Sequence, residues 1–234
     1  MKTNIYDIIK SEFRKIIRET GLEAEEVLVH AKPLTTEKTI GNPEDRDYPL
    51  VTGKERMMQA EFKKSRGQAF TDIYGNFSGP LVDIAEMELT NNFRRAIFIS
   101  SLNTVMQNIG WITQSTHCKD DEPKKCSYEL DKYIEENHGQ PKIALIGLHP
   151  RMVEVLSPKF ELKISDLTNI STEKFGAVIH GPEETPEHLE WRDLALVTGT
   201  TLVNNTVNQF MISEPVVFYG ITIAGVARLL GLNH

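Results

Sequence analysis

The sequence predicts an α/β protein: a small α+β unit followed by a mostly parallel sheet with helices on both faces. Three observations carry this. The second half holds three strand–turn–helix junctions, Ile143-Ala-Leu-Ile-Gly-Leu-His-Pro150, Leu194-Ala-Leu-Val-Thr-Gly-Thr-Thr-Leu-Val-Asn-Asn-Thr206 and Val216-Val-Phe-Tyr-Gly-Ile-Thr-Ile223. Strands alternating with helices build parallel sheets. The first half instead carries two strand-like runs joined by Lys63-Lys64-Ser65-Arg66-Gly67, a hairpin signal. Between them, His117 to Lys125 is a polar break. The expected organisation is therefore a first domain over 1–115, a linking segment over 116–139 and a second domain over 140–234.

Each element follows from local pattern. Ile5, Ile8, Ile9, Phe13, Ile16 and Ile17 recur at helical spacing from Asn4 to Arg18, and Gly21 is a stop signal. Glu26 to Leu34 reads as a strand, followed by a polar loop to Pro49. Arg56–Phe62 and Gln68–Asp72 are the hairpin strands. Leu81–Leu89 and the more apolar Phe93–Ile109 read as helices, the second one central and largely buried. Tyr128–Asn137 is a linking helix. Strands are expected at 142–146, 160–165, 175–180, 194–198 and 215–219. Helices are expected at 150–157, 186–192, 201–212 and 222–230.

Composition narrows the function. The chain has 234 residues, enough for a sizeable core. Its net charge of −7 and the lack of a long basic run disfavour nucleic acid. No apolar run is long enough to span a membrane, and the N-terminal residues lack a signal-peptide apolar core. Two cysteines suit a reducing cytoplasm without a disulfide framework. The expected partner is a small molecule or a metal ion, and a homo-oligomer is compatible with the sequence.

Open α/β sheets bind ligands outside the carboxyl ends of their strands. Thr198-Gly199-Thr200-Thr201 stands at such an end. A helix starting there would offer free backbone N–H groups to an anion, with Asn204 and Asn205 one turn later. Ordinary capping with solvent-facing amides uses the same residues. Gly147 and His149 follow the first strand of the second half, with Pro150 suited to a helix's first turn. His149 then sits at the cap, as a ligand contact or as a plain loop histidine. Asp166 ends the next strand, where an acid can accept from a ribose or cap a turn. On the hairpin, Glu55, Glu61 and Asp72 can bind a cation or serve as acid and base, and a solvated sheet face has the same composition. His117, Cys118 and Cys126 are soft ligands, but their spacing matches no zinc finger or ribbon, so no structural metal site is expected there.

Four stretches stand out together and in this order: Tyr48-Pro49-Leu50 with Gly53-Lys54-Glu55; Gly67-Gln68-Ala69-Phe70-Thr71-Asp72; Ile146-Gly147 with Pro150; and Thr198-Gly199-Thr200-Thr201-Leu202-Val203-Asn204 followed by Thr206. In these stretches the chain resembles the putative heavy-metal chelation family. The resemblance implies an enolase N-terminal-like domain followed by a Rossmann-like domain, with a ligand site in the cleft between them. Two stretches depart from the family pattern. Gly220-Ile221-Thr222 replaces a Gly-Pro-Ser-like turn, so Gly220 is retained and Thr222 stands in for the serine hydroxyl. Asn204-Asn205-Thr206 replaces Asn-Gly-Thr. The expected ligand site therefore joins Gly147, His149, Asp166, Thr198, Gly199, Thr200, Thr201, Asn204, Gly220 and Thr222, facing an acidic wall of Glu55, Glu61 and Asp72. It would hold an anionic or metal-chelating small molecule, with a divalent metal ion as the implied cofactor. Two other readings stay open: an enzyme using a nucleotide-like cofactor in the same cleft, and a metal-handling protein without catalysis.

Overall fold

Asn4 starts the first helix, its side chain accepting from the Tyr6 N–H in the computed structural model, which describes residues 4–30, 56–120, 122–168, 171–211 and 215–234. Helix α1 (Ile5–Glu19) buries Ile5, Tyr6, Ile9, Phe13, Ile16 and Ile17, the stripe that its spacing predicts. The first sheet holds β1 (Glu26–His30), β2 (Arg56–Phe62), β3 (Ser65–Thr71) and β4 (Phe77–Pro80). It is antiparallel, in the order β3-β2-β1-β4. The hairpin turns on Lys63-Lys64, with Lys63 at φ 54°.

Helix α2 (Leu81–Glu86) is short, and α3 (Asn92–Asn108) is central. Every residue of α3 from Arg95 to Met106 is buried. A helix buried on all sides needs a partner on each. One side lies on β2 and β3, so closely that a Cβ on Gly67 would stand 2.2 Å from the Thr104 nitrogen and 2.3 Å from the Ser100 carbonyl oxygen. The other side meets the second half of the chain.

That half starts with α4 (Glu122–His138), then β5 (Ile143–Ile146), α5 (Pro150–Leu156), β6 (Leu162–Ser165), β7 (Glu173–Lys174), β8 (Ala177–His180), α6 (Thr185–Trp191), β9 (Leu194–Thr198), β10 (Val216–Tyr219) and α7 (Ala224–Leu230). The strands form one sheet in the order β10-β9-β5-β6-β8-β7, parallel except for the short antiparallel β7. Counting the parallel strands in chain order gives 3-2-1-4-5, the doubly wound arrangement, with its switch point between β5 and β9.

Alternate residues of this sheet enter two cores. Ile143, Leu145, Leu194, Leu196 and Val217 pack with Ile134 of α4 and Met152, Val153 and Leu156 of α5. Ile146, Ala195, Val197, Val216 and Phe218 face the other way, into a core shared with α1, α3 and the first sheet. Thus the larger core runs through both halves of the chain.

The outer edge of β3 completes the joint. Gln68 N–H donates to the Ser115 carbonyl at 3.0 Å, and Phe70 N–H donates to Thr222 Oγ1 at 3.1 Å. Asn103, fully buried on α3, donates through Nδ2 to the Gln68, Ile221 and Thr222 carbonyls at 2.9, 3.1 and 3.3 Å. Its Oδ1 accepts from Gly225 N–H at 2.8 Å. An edge strand with unpaired polar groups invites foreign pairing; here those groups are covered from within the same chain.

One expectation needs correction. No α-helix spans 201–212; two 3-10 turns, Gly199–Leu202 and Val207–Gln209, flank Asn204-Asn205, where Asn205 has φ 67°. A residue in the left-handed region ends a right-handed helix. The strands β4 and β7 were not foreseen. The loop before Pro49, with Glu55, lies outside the described residues.

Candidate metal centre

Each parallel strand ends on the same side of the second sheet, followed by Gly147, Asp166, Gly181, Gly199 or Gly220. At the switch point, Gly147 has φ 91°, and a Cβ on it would lie 2.6 Å from Thr198 Cγ2 and 3.1 Å from Tyr219 Oη. Only glycine suits both demands. The Tyr219 hydroxyl donates to the Gly147 carbonyl at 2.7 Å. His149 caps α5, Nδ1 accepting from Met152 N–H at 3.4 Å, and its ring stands edge-on to Tyr219 at 6.3 Å. Asp166 Oδ2 accepts from Leu148 N–H at 2.8 Å, and its Oδ1 accepts from both the N–H and the hydroxyl of Thr168 at 2.9 Å. Gly147, His149, Asp166 and Thr198 are therefore neighbours.

The remaining cradle residues bond to one another and to neighbouring elements. Thr201, 2% exposed, donates its hydroxyl to the Thr198 carbonyl at 2.7 Å. Thr198 Oγ1 accepts from Thr200 N–H at 3.3 Å. Asn204 Oδ1 accepts from Thr206 N–H and hydroxyl at 3.1 and 2.7 Å. Thr222 is the acceptor for Phe70, and a Cβ on Gly199 would lie 2.6 Å from the Ile223 nitrogen. These groups close turns and join elements. A 3-10 turn in place of an α-helix also removes the helix N-terminus expected to attract an anion. Gly220, at φ 88°, offers its carbonyl to His234 Nε2 at 3.3 Å.

Glu61 and Asp72 do not meet. Glu61 Oε1 accepts from Gln59 Nε2 at 3.0 Å and pairs with Arg66 Nε at 3.5 Å, near the turn. Asp72 lies just past the other end of β3, accepting from Asn92 Nδ2 at 2.6 Å. Glu61 stands opposite Arg66, and Asp72 is six residues further on, about 20 Å at strand rise. One cation cannot bridge them.

A different set converges: His180, Glu184 and His188, whose ligand atoms lie within 4.8 Å of one another, the one three-ligand group among the described residues. His180 ends β8, Glu184 sits in the 3-10 turn Pro182–Glu184, and His188 is on α6. His180 Nδ1 stands 2.7 Å from Glu184 Oε2, and the two imidazoles meet edge to face at 5.0 Å. His188 is 1% exposed, with Nδ1 2.7 Å from Ser165 Oγ at the end of β6. That bond fixes the ring and leaves Nε2 for another partner. Burial first, then His180 and Lys163, push His188 below its ordinary pKa, favouring the neutral imidazole that metals bind. A further bond ties this cluster to the switch point: Asp166 N–H donates to the His180 carbonyl at 3.0 Å. The i, i+4, i+8 spacing was visible in the sequence, but it crosses a strand end, a turn and a helix, so no single periodicity marks it.

His117, Cys118 and Cys126 lie elsewhere. His117 Nδ1 is 2.6 Å from the Cys118 carbonyl oxygen, and the two sulfurs are 3.6 Å apart.

Residues 132–229 match the DUF364 family, described as "Putative heavy-metal chelation". The DUF364 segment contains the whole second sheet and all three converging ligands, while Cys118 and Cys126 precede it. A DUF364 protein of unknown function from Pyrococcus horikoshii is similar in structure, at TM-score 0.56 and 15% identity over 93% of this chain and 79% of that one. Another, from Desulfitobacterium hafniense DCB-2, gives TM-score 0.53 and 14% identity over 75% and 72%. These likenesses establish the fold. No curated protein matches the chain. Among the described residues, no helix is long and apolar enough to cross a membrane.

Proposed function

We propose that the protein binds a divalent transition-metal ion through His180, Glu184 and His188, leaving coordination positions open to an anionic, chelating small molecule. The convergence of two imidazoles and a carboxylate, one imidazole buried and oriented by Ser165, carries this reading. Nitrogen and carboxylate ligands in this number suit zinc and its neighbours, and three protein ligands typify open sites. The family description points the same way. The small molecule would lie along the strand ends toward Gly147, His149 and Thr198, where doubly wound sheets take ligands. The nucleotide reading is weaker, because both Asp166 oxygens already hold neighbouring backbone or hydroxyl groups.

Isothermal titration of metal-stripped protein with Zn2+ and Co2+ tests the proposal. One ion per chain is expected, with a visible Co2+ spectrum of low coordination number. His180→Ala and Glu184→Gln, both at partly exposed positions, should weaken binding at least tenfold without changing the fold. Undiminished binding in both variants would overturn the assignment. Native mass spectrometry of untreated protein then identifies any organic molecule retained with the metal.

A further inference from the structure

The segment before α4 brings two thiols together outside the metal cluster. Cys118 is half-buried and Cys126, on the second turn of α4, is exposed. Their sulfurs stand 3.6 Å apart, and Gln114 Nε2 donates to Cys118 Sγ at 3.5 Å. From 3.6 Å a small side-chain rotation reaches the roughly 2 Å of a covalent S–S bond. Both cysteines are free and neither is fully buried, so a small reagent can reach Cys118 as well as Cys126.

The surroundings give a bond here a mechanical meaning. The chain just before Cys118 is pinned to the edge strand β3: Ser115 accepts from Gln68 N–H and donates its hydroxyl to the Arg66 carbonyl, and His117 N–H donates to Gln68 Oε1 at 2.7 Å. The His117 ring meets Phe70 edge-on at 5.5 Å. Helix α4, which carries Cys126, instead packs Ile134 into the core of the second sheet. A bridge between the two sulfurs would therefore link the edge of the first sheet to a helix of the second.

We propose that Cys118 and Cys126 form a reversible dithiol–disulfide pair whose oxidant is a low-molecular-weight disulfide. The Cys118 thiolate attacks one sulfur of RSSR, forming a mixed disulfide and releasing one RS−. The Cys126 sulfur gives up its proton to solvent and attacks Cys118 Sγ, forming the internal bond and displacing the second RS−. The protein dithiol loses two electrons, and RSSR becomes two RSH once both thiolates are protonated. Burial first, and then the neighbouring Cys118, push the Cys126 thiol up to about 12. Capture of Cys118 in the mixed disulfide removes its charge, which eases the second step.

The test uses the full chain with chelator present, incubated with excess glutathione disulfide. Titratable thiols are expected to fall from two to none, the mass to fall by two hydrogens, and a non-reduced peptide map to show Cys118 joined to Cys126; dithiothreitol should restore both thiols. Cys118→Ser and Cys126→Ser should each stop at a mixed disulfide or an unreacted thiol. Wild-type protein that keeps both thiols, ends with glutathione on either cysteine, or links chain to chain would overturn the pair.

Discussion

Asn103→Ala should cost more stability than any exposed change in the chain. Its amide is fully buried and bonds to both halves, at 2.9 Å to the Gln68 carbonyl and 2.8 Å from the Gly225 N–H. Alanine leaves these two main-chain groups without that partner, at about 1–3 kcal/mol each. The central expectation is about 4 kcal/mol. For a chain of this size, 1 kcal/mol moves Tm by about 2–4 °C, so the midpoint should fall by roughly 8–16 °C. Asn103→Asp discriminates further. It keeps the acceptor for Gly225 but sets a charge against the Gln68, Ile221 and Thr222 carbonyls. Its deficit should therefore shrink in acid, where a protonated carboxyl regains a donor, while that of Asn103→Ala does not. Thermal unfolding of the three proteins at two pH values reads this directly. A fall below about 3 °C for Asn103→Ala, or an aspartate deficit that does not shrink in acid relative to that of alanine, would refute the reasoning.

Other expectations follow from single contacts. Gly67→Ala drives a Cβ into the backbone of α3 at 2.2 and 2.3 Å, so soluble expression should collapse or stability fall by about 3 kcal/mol or more, whereas Gly110→Ala, strained at φ 76° but open, should lose only about 1 kcal/mol; denaturant titration compares them. Burial holds His117 and His234 below their ordinary 6.5. The unfolded chain then takes up protons first, so their contribution is complete above about pH 6.5 and is lost as pH falls toward the lower native values; His117→Gln should flatten that decline in a Tm-against-pH series. Ser165→Ala, which frees the His188 ring, should weaken Zn2+ binding about ten- to hundredfold in the same calorimeter.

Much of the fold was legible because its signals are local. The isoleucine stripe of α1, the hairpin at Lys63-Lys64 and the alternation in β5 and β9 each declare themselves within a few residues. The 201–212 segment misled because its apolar residues allow a helix, while Asn204 and Asn205 supply the turn that ends it. Thr222 entered through the family resemblance; its hydroxyl also accepts from the Phe70 N–H, 152 residues away, a contact that no local pattern reveals. The nearness of Gly147, His149 and Asp166 was legible from place alone, through the rule that strand ends meet at the sheet's edge. The His180, Glu184 and His188 group was missed because three kinds of backbone are needed to assemble it.

The uninterrupted burial of α3 from Arg95 to Met106 sets how the molecule can come apart. The first sheet covers one side of that helix, and α7 with the Ile221–Ile223 turn covers another, so separating either half of the chain from it leaves the other side packed. Its amides should exchange with solvent hydrogen only when the whole chain unfolds, and their rates then report the global free energy. A protein with two sheets in succession would accordingly melt in one transition, with α3 as the common hub that makes two architectures a single cooperative unit.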